Sequence, residues 1–233
     1  MTAAEPPEFK VRSLAHVNLT TEAYNELKRN LMTGGLKPGA KLTIRNLAAG
    51  LGISPTPVRE ALVQLAAEGA LTQTAGRSFI VAQLDATGYE DLRTLRELLE
   101  GEGAYRAAER ISAETINTLA TLHTQLIEAK ENADFASALA YNQQFHLTLC
   151  AAGGSQRLFK IVEGLWLQMG PLLNALYEHR EAPSNLSEHR HITLINALRE
   201  GDKETARRAI QLDISDGATP ILAHLEAQTK NRT

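Results

Sequence analysis

The most informative segment of the chain reads Leu47-Ala-Ala-Gly-Leu-Gly-Ile-Ser-Pro-Thr-Pro-Val-Arg-Glu-Ala-Leu62. Apolar residues at helical spacing predict a first helix over about 44–51, and Gly52 favours its end because glycine tolerates a left-handed backbone. A second helix is predicted over about 56–69, with Ser54 as N-cap and prolines near its start, where a missing N–H costs little. This pattern is typical of a helix-turn-helix, whose second helix suits the major groove of DNA.

The neighbouring residues predict a winged domain around this helix pair. A helix over 20–33, capped by Thr20 or Thr21, is predicted before it. After it, two strand-favouring segments, 70–74 and 77–82, are separated by a glycine and favour a hairpin. Three helices and a two-stranded wing make a winged helix-turn-helix domain.

The rest of the chain has no strand signal. Its apolar periodicity predicts helices over 86–110, 112–131, 134–152, 155–180, 184–200 and 202–227. Short connections between these helices favour an antiparallel bundle. We therefore expect a mainly α protein with a disordered lead-in at 1–18, a winged helix-turn-helix domain at 19–82, a linker at 83–88, and a bundle of six to seven helices at 89–228.

Composition and charge are those of an ordinary globular protein. The 233 residues have a net charge of −3, but residues 1–82 carry nine Lys/Arg against six Asp/Glu and the remainder fifteen against twenty-one. An excess of basic residues in 1–82 and of acidic residues in the remainder is consistent with DNA binding by the N-terminal part. No apolar run approaches the length of a membrane span, the N-terminus is not a signal peptide, and a single Cys150 suits a reducing cytoplasm. We expect a cytoplasmic protein with no membrane partner.

The chain resembles the GntR family of transcriptional regulators. The resemblance rests on Leu36-Lys-Pro-Gly-Ala-Lys-Leu42, on residues 47–62 and on Glu68-Gly69. The remainder resembles the FadR-type ligand-binding domain in its metal-binding (FCD) form, through Leu95-Arg-Glu-Leu-Leu-Glu100, Phe145-His146 and residues 191–202. The implied fold is the winged helix-turn-helix with an all-helical partner domain that the periodicity also predicts.

The resemblance also implies which residues contact DNA. The implied residues are Arg45, Ser54, Thr56, Arg59, Gly76 and Arg77. Arginine can donate two hydrogen bonds to guanine, and Arg59, near the start of the second helix, is best placed to do so. Pro55 stands where the family has an arginine, so we expect one contact found in relatives to be absent.

Polar side chains on apolar helix faces predict a metal site in the helical part. They are Asn142 and His146 on one helix, His191 on a second and Asp213 on a third. A polar group that faces a core must find a partner, and one cation satisfies imidazole nitrogens and a carboxylate together. The resemblance implies an aspartate and three histidines, whereas here Asn142 replaces the aspartate and Asp213 the last histidine. Zinc is predicted, with nickel, manganese and iron as alternatives; hydrogen bonding without metal is the other interpretation.

Arg96 is the candidate effector-binding residue. The resemblance implies that Arg96 faces a ligand cavity, where its guanidinium would pair with the carboxylate of a small organic acid. A salt bridge to Glu100, one helical turn on, is the alternative. Tyr105, Trp166 and Met169 either line the same cavity or pack in the core.

These observations predict a ligand-responsive transcriptional regulator. The resemblance makes it a homodimeric repressor of a catabolic operon, released by a small organic acid. Its two-fold symmetry would match an inverted repeat in double-stranded operator DNA. One alternative is a regulator that senses the metal itself. The other is a metal-dependent enzyme, disfavoured because the chain has no His-Glu-x-x-His, Gly-x-Ser-x-Gly or phosphate loop.

Overall fold

The computed structural model describes residues 19–33, 35–75, 78–178 and 186–230. In chain order the elements are α1 (Leu19–Met32), β1 (Lys41–Leu42), α2 (Ile44–Leu51), α3 (Pro55–Ala67), β2 (Leu71–Gln73), β3 (Phe79–Val81), α4 (Ala86–Arg110), α5 (Ala113–Glu131), α6 (Phe135–Ala152), α7 (Gln156–Glu178), α8 (Leu186–Glu200) and α9 (Lys203–Lys230). The mainly α fold predicted from the sequence is confirmed. The predicted disordered lead-in, 1–18, lies outside the described residues.

The helix-turn-helix forms where the sequence predicts it. The Thr43 hydroxyl accepts a hydrogen bond from the backbone N–H of Asn46 at 3.4 Å and caps α2. Gly52 ends this helix in the left-handed conformation, with φ of 67°. Ser54 holds the N-cap position of α3, but its hydroxyl makes no capping hydrogen bond. The usual donor at the third helical position is missing, because that residue is Pro57.

The predicted cap of α1 is wrong. This helix already begins at Leu19, so Thr20 and Thr21 lie inside its first turn. The Thr20 hydroxyl instead donates to the carboxylate of Glu60 on α3, at 2.7 Å. A tertiary contact therefore uses the side chain that local reasoning assigned to the helix end.

The wing has three strands where the sequence predicted two. β3 lies in the centre and pairs antiparallel with both β2 and β1. The added pairing sets Lys41 opposite Ile80 and Leu42 opposite Phe79. Local turn signals cannot predict the pairing of β1 with β3, because these strands are far apart in sequence. Phe79 and Val81 alternate with Ile80 and are buried in the core of the winged domain, formed by α1–α3 and β1–β3.

The helical domain consists of α4–α9, and α4 lies at its centre, packed against α6, α7, α8 and α9. Asp85 caps α4 by accepting from the N–H of Gly88 at 2.8 Å, so the helix begins inside the linker predicted at 83–88. Gly103 and Gly153 allow α4 and α6 to pack closely, since a Cβ on Gly153 would lie 2.8 Å from the carbonyl oxygen of Gly103. Within the described residues, no helix is both long enough and apolar enough to cross a membrane.

The two domains meet where α7 packs against α1. Leu167 of α7 is 1% exposed and packs into the apolar core of the winged domain. The Lys28 ammonium lies 2.7 Å from the Glu163 carboxylate. The backbone of α1 passes so close to Gly170 that a Cβ there would lie 3.0 Å from the carbonyl oxygen of Leu31. Helix α7 therefore contributes to both domains.

Candidate functional site

Three predicted ligands come together from three helices. His146 lies on α6, His191 on α8 and Asp213 on α9, and all three are buried. His146 Nε2 is 3.1 Å from Asp213 Oδ2, and His191 Nε2 is 3.6 Å from Asp213 Oδ1. One ligand atom from each residue lies within 4.8 Å of the other two. We call these three residues the His/His/Asp cluster.

The hydrogen bonding of this cluster fits a metal ion. His146 Nε2, His191 Nε2 and Asp213 Oδ1 are buried and accept or donate no hydrogen bond among the described residues. Leaving buried polar atoms unsatisfied costs about 1–3 kcal/mol each. Imidazole nitrogens and a carboxylate oxygen are ligands of late first-row metals, so one cation would satisfy all three atoms.

Glu100 is the site residue that sequence reasoning missed. It is completely buried on α4, and its Oε2 lies 2.6 Å from His146 Nδ1. Its Oε1 accepts from Arg96 Nε at 2.6 Å and from Trp166 Nε1 at 3.2 Å. A carboxylate at Nδ1 holds the proton there and leaves the lone pair on Nε2, the nitrogen that faces Asp213. The sequence indicated Glu100 only as a possible salt-bridge partner of Arg96.

His191 is positioned by aromatic neighbours. Its ring stacks on that of Phe145, with 3.8 Å between ring centroids. His123 of α5 lies edge-on to the same ring at 5.4 Å. These contacts restrict how the His191 imidazole can turn.

The electrostatics keep both carboxylates ionised. Burial alone would raise the pKa of Glu100, but the charges of Arg96 and His146 hold it below its usual range. Burial likewise opposes ionisation of Asp213, yet His191 and His146 lower its pKa strongly. Burial lowers the pKa of His191, which favours the neutral imidazole that a metal requires. Despite burial, the pKa of His146 is raised by Glu100 and Asp213.

Arg96 forms the salt bridge that the sequence offered as an alternative, and it also faces a cavity. Besides bonding Glu100, its guanidinium carbon lies 4.0 Å from the centre of the Trp166 ring. It nevertheless lines a cavity together with His146 and Asp213. Arg96 therefore forms the salt bridge to Glu100 and also lines the cavity, so the two interpretations that the sequence left open do not exclude each other.

The other candidates for this cavity separate into two groups. Trp166 and Met169 are buried and line it, as does the half-buried Asn142. Tyr105 does not: its ring lies beside Arg207, with 4.1 Å from the guanidinium carbon to the ring centroid. The chain's single tryptophan thus reports directly on the cavity.

Four of the six predicted DNA-contacting residues lie in the described part of the winged domain. Arg45, Ser54, Thr56 and Arg59 are all exposed, around the beginnings of α2 and α3. Beneath them Val58 is fully buried and fixes the orientation of α3. Gly76 and Arg77 of the wing lie outside the described residues.

A three-helix domain with a wing, joined to a helical domain that contains a buried cluster of metal-ligand type, defines a winged helix-turn-helix transcriptional regulator. The comparisons agree with this class. Residues 19–81 match the model of bacterial regulatory proteins of the gntR family, and residues 91–216 match that of the FCD domain. The chain belongs to the GntR family, with a C-terminal FCD domain. Regulators of this family bind operator DNA.

Relatives match over most of their length. The HTH-type transcriptional regulator McbR of Escherichia coli (strain K12) is 35% identical over 199 residues, covering 84% of this chain and 90% of McbR. The Nta operon transcriptional regulator of Aminobacter aminovorans is 31% identical over 169 residues, covering 72% and 78%. The solved structure of E. coli McbR/YncC superposes with a TM-score of 0.81 at 32% identity, covering 92% and 100%. These are transcriptional regulators, so the enzyme alternative is rejected.

Proposed function

We propose that this protein is a homodimeric repressor that binds an inverted-repeat operator and is released by a small carboxylate ligand in the helical domain. The observation that carries this proposal is the double role of α7. On one face Trp166, Met169 and Leu173 line the cavity. On another face, at the same helical spacing, Glu163, Leu167 and Gly170 contact the winged domain.

This arrangement gives a ligand a route to the DNA-binding surface. A ligand shifts a conformational equilibrium only through its different affinities for the two states. Any ligand-dependent shift of Trp166 or Met169 moves Leu167 and Gly170, which lie next to them in sequence. Because interdomain packing is tight at Gly170, such a shift changes how α1 sits on α7.

DNA recognition is assigned to Arg45, Ser54, Thr56 and Arg59, with Gly76 and Arg77 of the wing. Arg45 and Arg59 form no ion pair with described residues, so both guanidinium groups can reach DNA. A symmetric dimer would place two such surfaces on two half-sites. Leu95 and Leu98 of α4, 45% and 61% exposed, are the apolar surface that we assign to contact with a second copy.

The His/His/Asp cluster is assigned to a divalent metal. His146, His191 and Asp213 would hold the ion, and Asn142 offers a weaker amide oxygen beside the same cavity. Two imidazoles and one carboxylate favour zinc over nickel, manganese or iron(II). When bound, the ion supplies a localised positive charge that attracts a carboxylate ligand.

A metal-sensing regulator is the second candidate. The His146 ring of the cluster lies 5.1 Å from the Trp166 ring of α7, so binding of the ion alone would act on α7. The two functions differ in what zinc does without an organic acid. A sensor responds to zinc alone, whereas a carboxylate-responsive repressor needs both.

Selection of operator DNA tests both functions. Full-length protein is used to select binding sites from a random duplex library, and affinity for the selected site is measured with chelator, with zinc, and with zinc plus a panel of small organic acids. We expect an inverted repeat, and about 5- to 150-fold weaker binding when the effective acid is added to the zinc form. A large change from zinc alone favours the metal sensor. Absence of any sequence preference under all conditions contradicts the regulatory proposal.

Gly170→Ala is expected to weaken the coupling between the two domains. Its Cβ would lie 3.0 Å from the Leu31 carbonyl oxygen and 3.2 Å from Met32 Cα, so α1 and α7 must separate. We expect faster hydrogen exchange in α1 and a smaller effect of metal and acid on DNA affinity. Gly164→Ala is the matched control, because no described atom lies within 4 Å of its Cβ position. Equal exchange rates and equal coupling in the two variants would exclude α7 as the connection.

A further inference from the structure

We propose that a crevice between the two domains binds a second small ligand, an apolar amino acid in its zwitterionic form. The crevice has a volume of about 370 Å³, which is within the range of small-molecule sites. It is separate from the cavity beside the His/His/Asp cluster, because the two share no lining residue. This ligand is therefore additional to the metal and the carboxylate that we assign to the helical domain.

Three helices form this interdomain crevice. Helices α1 and α3 belong to the winged domain and α7 to the helical domain, and each presents side chains one helical turn apart, on the same side of the helix. The lining residues are Tyr24 and Lys28 of α1, Gln64 and Glu68 at the end of α3, and Lys160, Ile161, Glu163, Gly164 and Leu167 of α7. A ligand in the crevice therefore contacts both domains at once.

Lys160 gives the crevice an unpaired positive charge. The carboxylate closest to it along α7 belongs to Glu163, one turn further on, and this group already lies 2.7 Å from the ammonium of Lys28. Lys160 itself forms no ion pair and no hydrogen bond with the described residues. Its ammonium is free to donate to the carboxylate of a ligand.

Glu68 gives the crevice an unpaired negative charge. Its Oε2 accepts from the Tyr24 hydroxyl at 2.8 Å and its Oε1 from Gln64 Nε2 at 3.2 Å. Both donors are neutral, since burial and the hydrogen bond to Glu68 raise the pKa of Tyr24. Within the described parts of the chain, no cationic side chain pairs with Glu68. A carboxylate has room for further donors, so Glu68 can also accept from a ligand ammonium.

The two unpaired charges and the apolar surface beside them decide the ligand class. A simple anion would compensate Lys160 and leave Glu68 uncompensated, and a simple cation would do the reverse. An amino acid carries an ammonium for Glu68 and a carboxylate for Lys160. Ile161 is 53% exposed and offers apolar surface to the side chain of this ligand. A Cβ on Gly164 would meet no atom within 4 Å, so there is space at this part of the wall.

A bound zwitterion would connect the two domains. Lys160 lies on the helical domain and Glu68 on the winged domain, so the ligand holds α3 and α1 against α7. A ligand that binds one placement of the two domains better shifts the equilibrium towards that placement. We therefore expect hydrogen exchange in α1 to slow when the amino acid binds.

Matched ligands test the charge assignment on the full-length protein. L-valine, L-leucine and L-phenylalanine are each compared by calorimetry with the amide, which lacks the carboxylate, and with the N-acetyl form, which lacks the ammonium. We expect at least one amino acid to bind about tenfold more tightly than both of its derivatives. Hydrogen exchange in α1 should slow with the amino acid and not with the derivatives.

Two independent variants test the location. Lys160→Met should weaken binding of the amino acid about tenfold and leave the amide unchanged, because the amide has no carboxylate to meet Lys160. Arg157→Met makes the same change of charge at an exposed position of α7 outside the crevice and should retain the affinity of the parent. Gly164→Leu should abolish binding by filling the crevice, from a position where a Cβ meets no other atom.

The outcomes distinguish this site from the metal site. Equal affinity for an amino acid and both derivatives, or no binding of any amino acid, overturns the zwitterion. Binding that is unchanged in both Lys160→Met and Gly164→Leu, with circular dichroism showing folded proteins, places the ligand elsewhere and overturns the crevice. Either result leaves the carboxylate-responsive regulator standing, because that function is tested separately by operator binding.

Discussion

Glu100→Gln is expected to weaken zinc binding by about 10- to 100-fold, although Glu100 is not a metal ligand. Its two oxygens accept from donors on both sides: His146 on one, and Arg96 with Trp166 on the other. A glutamine must turn its NH₂ group towards one of these sides, where it meets a donor instead of accepting from it. Facing His146, the amide no longer holds the proton on Nδ1, so the lone pair on Nε2 is no longer enforced.

Competition with a zinc-binding indicator measures this effect. The matched control is Trp166→Phe, which removes one hydrogen bond to Glu100 but leaves the contact with His146, and it should retain zinc affinity within about threefold. Circular dichroism establishes that both variants are folded. A folded Glu100→Gln protein with the zinc affinity of the parent would show that the second carboxylate does not position His146.

Arg59→Ala is expected to cost about 1–3 kcal/mol in operator binding and to relax the preference at one base pair. Arg59 is exposed near the beginning of α3, and the buried Val58 beside it anchors the helix, so the change removes a contact without disturbing the fold. Removing a phosphate contact would instead weaken all DNA sequences to a similar degree.

The measurement uses the selected operator and a set of single-base variants, at fixed salt. Arg157→Ala provides the control, since it removes an exposed arginine from α7 in the helical domain. Unchanged affinity and unchanged base preference for Arg59→Ala would exclude the assigned role. Uniform weakening across all variants would reassign Arg59 to a phosphate.

Local signals predicted most of the architecture. The glycine and proline positions around the helix-turn-helix act within a few residues, and Gly52 adopts the left-handed conformation that its place in the pattern requires. The helical domain followed from apolar periodicity, because each helix buries a face of its own. Histidines and an aspartate on such faces were similarly visible as candidate ligands, since a polar residue at a core position breaks the pattern.

Two of the errors involve contacts between residues distant in the chain. The third strand of the wing depends on pairing of Lys41–Leu42 with β3, and Thr20 bonds Glu60 rather than its own helix end. Propensity describes what a segment does alone, and a tertiary partner can redirect a short strand or a hydroxyl at small energetic cost.

The sequence alone was therefore enough to predict the winged domain, the six helices of the helical domain and the three polar residues that form the His/His/Asp cluster. These properties depend on neighbouring residues and on which face of a helix is apolar. Packing alone decided that Glu100 meets His146 and that α7 lines the cavity with one face and contacts α1 with another. Neither relation has a local signature. Each requires several helices to be placed against one another, and that placement depends on how their surfaces fit together across the whole core.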